Sequence, residues 1–580
     1  MLMGIRGISR SGLNAFAIQC ALLLITLSGC SGEISMPGAG GVPVGREEPE
    51  CDRPSCDIQD SFASSTAFAR LTHSEYANSV RDLLRIDVHD LSDAFTKDTR
   101  VGTFDNNGAL IRVSPELWFD YQAAAEQIAE RAVNTADAMS AITPSNLPSD
   151  ATAQARSFVT TFGERAYRRP LEKGEVDAHV ALFTSAQAHY PNLSAFNAGV
   201  RLTIEAMLQS PFFLYRVERS TDMAGGVVVL DNYEVATRLS YALTDSMPDA
   251  QLFAAAAKGE LKTDAGIETQ VRRLLDTDRA KDRIHSFFRQ LLNWDKYDSL
   301  SLDTTMYPSF NATLRDSMKA EAEAFVDYVV LDAGLGLREL LTASYTFANE
   351  SIAGVYGIDG VSGPMMQKVD FTGADMSQRS GLLTQLGFLA TNSGPTGAIH
   401  RGVFINDKFL CTDYPGTRPS AFPPQPTADD GNTWRERIDK ITGEGTCGES
   451  CHVPYINAAG FAFENFDDLG QFRTEEFGFP VDATTSFQFY ARTMPFDGAS
   501  QLAHGMVENF EAHDCYSRHW LEYLFGREAS GADSGLIQRL GDESRDNIVH
   551  HRPDRGTCKE HRVSHAHTGG SMSSPFQRVR

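Results

Sequence analysis

Leu71-Thr72-His73-Ser74-Glu75-Tyr76 opens the first folded stretch of the chain, and its reading sets the fold class. Thr72 followed three residues later by Glu75 is a capping box: the hydroxyl accepts from a backbone N–H of the first turn and the carboxylate returns to the backbone of the threonine. Tyr76, Val80, Leu83 and Leu84 then share one face at helical spacing. The same grammar recurs at Ser114-Pro115-Glu116-Leu117, a hydroxyl cap with proline at the first helical position, and the run to about residue 142 is rich in Ala and Glu. Between the two helices, Phe104-Asp105-Asn106-Asn107-Gly108 reads as a turn-rich loop.

Further along, Arg165-Ala-Tyr-Arg168-Arg169-Pro170-Leu171 precedes a stripe of Val200, Ile204, Met207 and Leu208, which ends at Ser210-Pro211. Residues 228–357 are the longest helical region, with Leu314, Met318, Phe325 and Val329 on one stripe and Phe287, Phe288, Leu291, Leu292 and Trp294 on another. Stripes of this kind are packing surfaces. The expected fold is therefore mainly α, with several helical domains in series. From 380 onward Gly and Pro rise, and Phe422-Pro423-Pro424-Gln425-Pro426 reads as a stiff extended connector.

Composition bounds the function. The chain has 580 residues, 42% hydrophobic and 22% charged, which is globular and holds about three or four domains. Its 52 Lys plus Arg against 76 Asp plus Glu give a net charge of −24, the wrong sign for a surface that grips phosphate backbones, so nucleic acid is not an expected partner. The stretch from Glu543 to Arg580 differs: seven Lys plus Arg against four Asp plus Glu make it +3, and its low apolar content argues against a packed core. The carboxylate pairs Glu321 with Glu323 and Asp467 with Asp468 read as solvated faces. Phosphate-cradling loops, His-Glu-x-x-His and the Gly-x-Ser-x-Gly elbow are absent from the sequence.

At the N-terminus, Arg6 and Arg10 precede an apolar run from Leu13 to Leu27, which fits a secretory signal of 1–29. The run ends in Leu27-Ser28-Gly29-Cys30, a pattern similar to a bacterial lipobox, so Cys30 is the expected lipidated N-terminus of a chain tethered to a membrane face. A Gly- and Pro-rich spacer follows, and Ser31 rather than aspartate after Cys30 favours the outer membrane. In an oxidising envelope the remaining cysteines should be paired or ligated. Cys51 and Cys56 suit a small local loop, which leaves Cys411 and Cys515 to each other, a pairing that the sequence does not establish.

One constellation carries chemistry: Thr446-Cys447-Gly448-Glu449-Ser450-Cys451-His452. Two nearby thiols followed directly by histidine are what c-type haem attachment requires, because the thioethers and the proximal imidazole serve one macrocycle. A local disulfide and a structural zinc site are the competing readings. Here three residues separate the cysteines, where two are usual.

The segment from Cys447 to Arg473, with Gly460-Phe-Ala-Phe-Glu464-Asn-Phe466-Asp467-Asp-Leu-Gly470-Gln-Phe-Arg473, resembles the cytochrome-c-like domain of planctomycete-type cytochrome-c-like multidomain proteins, built from the domains of unknown function 1587, 1595, 1592, 1588 and 1585. Leu71 to Tyr76 with Phe104 to Asn107 resembles the first domain, and Arg165 to Pro170 with Ser210-Pro211 the second. Glu234 to Tyr241 with Met247-Pro248-Asp249 is similar to the third, and Arg379-Ser-Gly381 with His400-Arg401-Gly402 to the fourth. Val481-Asp482-Ala483, Trp520, Gly526 and Arg527 are similar to the fifth. The sequence departs from the family pattern where Asn457 is followed by Ala458 and not by proline.

The resemblance implies helical domains over 65–145, 150–220 and 228–357, a small cytochrome-c-like domain over 375–475 towards the C-terminus, a C-terminal helical domain over 476–542 and a basic tail over 543–580. The linker spans 30–64. One covalent haem c on Cys447, Cys451 and His452 is the implied cofactor, with Met494 as a candidate axial ligand and His400, His504 and Met506 as competitors. The expected function is electron transfer with an unidentified redox partner in the cell envelope. The alternatives are a cell-surface binding or scaffold protein in which Cys447 and Cys451 form a disulfide, and a peroxidase-like haem oxidoreductase.

Overall fold

A computed structural model describes residues 68–98, 102–224, 227–373, 375–414, 425–546 and 578–579. The expected signal segment, Cys30, Cys51, Cys56 and most of the basic tail lie outside the described residues. The fold is mainly α, with a few strands of two to five residues.

Local chemistry dictates the helices. Thr72 caps His73–Leu84 with both halves of the capping box in place, and Arg85 ends the helix in the left-handed region. Ser114 caps Pro115–Asn134. Asp150, Ser194, Asp231 and Asn311 accept from first-turn N–H groups of Ala151–Ala166, Ala195–Leu208, Asn232–Thr244 and Ala312–Val326 in the same manner. Strands pair only as short antiparallel units. Phe68–Arg70 joins Tyr215–Val217, and Thr484–Gln488 joins Thr493–Asp497.

Where the chain is irregular, arginines satisfy its carbonyls. Arg168, itself left-handed at φ 59°, donates to the carbonyls of Phe212, Phe213 and Tyr215. The Arg168-Arg169-Pro170 and Ser210-Pro211 motifs thus meet at one clamp, which seats the strand after Ser210 beside Phe68–Arg70. An orphaned buried carbonyl is costly, and a guanidinium carries enough donors to serve several at once.

The packing resolves into two large cores and a minor one. The first unites residues from Leu71 to Leu214 and takes Tyr241 and Met247 from the next segment. The second is continuous from Leu230 to Leu540 and takes Phe104 from the turn-rich loop. The segments 228–357, 375–475 and 476–542 therefore share a single core. Phe287 stacks on Trp520 with ring centroids 3.7 Å apart, which joins the start of that core to its end. Ala398, Ile438 and Phe461 form the minor cluster. Among the described residues the last long helix runs from Ser534 to Asp546, and Arg578–Val579 pairs with Val228–Val229.

Glu321 departs from its sequence expectation. It is 0% exposed, and its Oε1 accepts from Thr346 Oγ1 and Tyr356 Oη, each at 2.7 Å. The helix Ala312–Val326 turns this position onto the core, where two hydroxyls from later elements stand in for water. Cys411 and Cys515 form a disulfide across 104 residues. Among the described residues, no helix is long and apolar enough to cross a membrane.

Candidate functional site

Helix Gly397–Ile405 is the platform for the Cys447-to-His452 segment. It crosses the chain after His452 at two glycines: a Cβ on Gly402 would lie 1.9 Å from the Ile456 carbonyl oxygen, and one on Gly460 would lie 2.0 Å from that of Ala398. Only glycine permits so close an approach of the two backbones. Beneath the crossing, Arg401 donates to the carbonyls of Leu389, Phe463, Phe466 and Asp467. Burial lowers its guanidinium to about 10, with neighbouring carboxylates in partial opposition. Arg379 spans Thr384 and Gly470 similarly, over the rings of Tyr356 and Phe466. The Arg379, Arg401 and Glu464-to-Arg473 motifs are thus one scaffold.

On this platform a tight turn carries the cysteines. The N–H groups of Cys451 and His452 both donate to the Gly448 carbonyl, at 3.0 and 2.8 Å. The next five residues, His452–Ile456, are π-helical. Pro454 lacks an N–H and cannot extend a regular ladder, so the turn widens. Asn406, itself in a π-helical turn and 0% exposed, donates to the Tyr455 carbonyl at 3.1 Å and restores the bonding at the widened turn.

The His452 ring is fixed from one side. Its Nδ1–H donates to Asn457 Oδ1 at 2.9 Å, and Asn457 Nδ2 donates to Thr442 Oγ1 at 2.9 Å. Thr442 closes the helix Trp434–Thr442 and donates to the Ile438 carbonyl at 2.7 Å. That tautomer leaves Nε2 as a lone-pair donor, the arrangement a metal-binding histidine uses. Burial draws the imidazole below the usual histidine range, against the opposing hydrogen bond that it donates to Asn457, and so favours the neutral ring. Cys447 is exposed and Cys451 half-buried, and neither is disulfide-bonded.

The donor set fits haem c on three observations. Two unbridged thiols precede a histidine held through Nδ1. Gly448 lies so close to the imidazole edge that a Cβ there would be 3.0 Å from His452 Cδ2, so any larger residue would press on the ring. Tyr414, whose ring meets that of Tyr455 edge-on at 6.4 Å, buries a hydroxyl that has no hydrogen-bond partner among the described residues.

Met494 is placed on the strand Thr493–Asp497, half-buried, opposite Phe487, whose ring meets that of Tyr455 edge-on at 6.2 Å. Its thioether accepts from Asn509 Nδ2 at 3.6 Å. Met506 is 0% exposed in the large core, His504 bonds the Ser500 carbonyl and His400 lies 3.4 Å from Thr396 Oγ1. Asn457, Asn406 and Thr442, which orient the histidine, carry no local signal of their role: each acts across a tertiary contact. The position of Asn457, five residues after His452, was the only cue.

Four family models match in chain order. Residues 69–134 match PSD3, a protein of unknown function (DUF1587), and 154–218 match PSD5 (DUF1595). Residues 230–358 match PSD4 (DUF1592), and 379–476 match PSCyt3 (DUF1588). The chain belongs to the planctomycete-type cytochrome-c-like multidomain family. No curated protein and no solved structure matches it.

Proposed function

We propose that Cys447, Cys451 and His452 hold one covalent haem c, and that the protein is an envelope lipoprotein, anchored through Cys30, that transfers electrons to a partner. The observation that carries this reading is the His452–Asn457–Thr442 chain, which holds the imidazole through Nδ1 and leaves Nε2 as the available nitrogen, directly after two unbridged thiols in the sequence. Bound there, the haem would supply a one-electron carrier. The protein's part would be to attach and orient it: Cys447 and Cys451 would each supply a thiol to a vinyl group, while Asn457 holds the proton on Nδ1 of His452. Met494, half-buried on the strand Thr493–Asp497, would be the candidate for a second protein ligand. The lipid anchor and spacer would place the site outside the cytoplasm at a membrane face.

The test is expression with cytochrome c maturation machinery, followed by a pyridine haemochrome spectrum. Acid-acetone-resistant haem near one per chain is expected for the wild type, and none for a Cys447→Ala, Cys451→Ala variant. A colourless wild type whose Cys447 and Cys451 are joined to each other would sink the reading and leave a binding or scaffold role. High-spin ferric bands with rapid peroxide turnover would replace electron transfer with peroxidase-like chemistry.

A further inference from the structure

A second site is built from residues other than the cysteine-histidine motif and does not depend on haem. Three stretches distant in sequence, 102–107, 407–413 and 518–528, enclose a polar cavity of about 280 Å³. Asn106 from the turn-rich loop donates to the Tyr523 carbonyl at 2.7 Å, and the Gly108 N–H donates to the Gly526 carbonyl at 2.9 Å, so the first helical segment forms one wall of the cavity. At the cavity lies the disulfide. Cys411 lines it and is only partly buried, whereas Cys515 does not line it and is 2% exposed.

His519, 5% exposed, faces both sulfurs: Nε2 is 3.5 Å from Cys515 Sγ and 3.8 Å from Cys411 Sγ. One turn further along the same helix, Glu522 Oε2 is 3.6 Å from Nδ1. The Phe104 ring packs edge-on against the imidazole at 6.0 Å. Cys411 itself is left-handed at φ 47°, a conformation a β-carbon resists, and it is held there by its N–H bond to the Asn406 carbonyl. A structural cross-link needs neither an open approach to one sulfur nor a carboxylate-oriented histidine at the other.

We propose that Cys411–Cys515 is a reactive disulfide that oxidises small dithiols entering this cavity. The two sulfurs have different roles. An incoming thiolate attacks Cys411 Sγ, the sulfur that the cavity exposes. The S–S bond breaks, a mixed disulfide forms between the substrate and Cys411, and the electron pair leaves on Cys515 Sγ. His519, doubly protonated with Nδ1 facing Glu522 Oε2, gives the Nε2 proton to that sulfur and takes one back from solvent. The second thiolate of the substrate then attacks its own disulfide-bonded sulfur and expels Cys411 as thiolate, which takes up a proton. The dithiol loses two electrons and two protons and becomes a cyclic disulfide, and the protein gains two thiols. A cavity of about 280 Å³ has room for a short-chain dithiol.

Dithiothreitol is the probe, with the folded full-length chain and alkylation mapped peptide by peptide. Reduction of Cys411–Cys515 without denaturant is expected, and His519→Asn should slow it about tenfold or more while leaving the bond formed and the far-ultraviolet spectrum unchanged. Single variants test the asymmetry. With an aromatic disulfide reagent, Cys411 in Cys515→Ser should be labelled about tenfold or more faster than Cys515 in Cys411→Ser, since attack requires access. A wild-type bond that resists dithiothreitol until the chain unfolds would overturn the proposal. So would equal labelling of the two single variants, or wild-type kinetics in His519→Asn.

Discussion

At the scale of single residues, burial sets the chemistry of the carboxylates. Desolvation raises Glu321 to about 7 from an ordinary 4.5, although Thr346 and Tyr356 hydrogen-bond its charged form and pull the other way. Glu464 moves in the same direction: burial raises it against the pull of Arg473. The sign follows directly. Below about pH 4.5 a glutamate is protonated in both the folded and the unfolded chain; between there and about 7 the folded chain keeps a proton that the unfolded chain has released. Stability is therefore fully present at acidic pH and falls as pH rises through that window, by about 3 kcal/mol for Glu321 at about 1.4 kcal/mol per pH unit. Glu321→Gln should lose this dependence. Urea midpoints of the two proteins at pH 5 and pH 8 check it, and parallel slopes would refute it. Asn457 belongs to the same scale. Asn457→Leu would leave the polar atoms of His452 and Thr442 without their partner, and should cost about 1–3 kcal/mol, read from the thermal midpoint.

At the scale of elements, helix starts were legible because capping is local chemistry: Thr72 with Glu75, and Ser114 with Pro115, act within one turn of the residues that reveal them. Helix crossings are not local. Nothing next to Gly402 or Gly460 announces that another backbone lies within van der Waals distance, yet both glycines decide how the segment after His452 seats on helix Gly397–Ile405. Gly402→Ala and Gly460→Ala should each destabilise by about 1–3 kcal/mol, because the clash is with backbone that cannot rotate away. Gly354 is the control: it lies inside helix Glu350–Tyr356 with nothing within 4 Å of its Cβ position, and Gly354→Ala should stabilise by about 0.5–1 kcal/mol. Differential scanning calorimetry of the three variants separates the cases. The π-helical turn His452–Ile456 was likewise hidden. Pro454 marks the break in the ladder, but the Asn406 side chain that makes the wider turn tolerable arrives from 49 residues upstream.

At the scale of the whole molecule, two large cores and one long covalent loop organise the chain. The Cys411–Cys515 bond closes a loop of 104 residues, all within the span of the larger core. Its loss in a Cys411→Ser, Cys515→Ser variant should cost about 4 kcal/mol through the freer unfolded chain. Trp294 and Trp520 both lie in that core, so their fluorescence during urea unfolding reports the change, and an unaltered midpoint would contradict it. The sequence by itself determined what short-range physics controls: helix after helix from caps and apolar stripes, the family from motifs in fixed order, and the Cys447-Cys451-His452 constellation from adjacency. Tertiary structure alone decided the rest. It fused the segments after residue 228 into one core, buried Glu321, joined Cys411 to Cys515 and set His519 against them, and gave His452 its partner in Asn457. Those outcomes depend on contacts between residues tens to hundreds of positions apart, where burial and close approach are properties of the packed chain and of no single stretch of it.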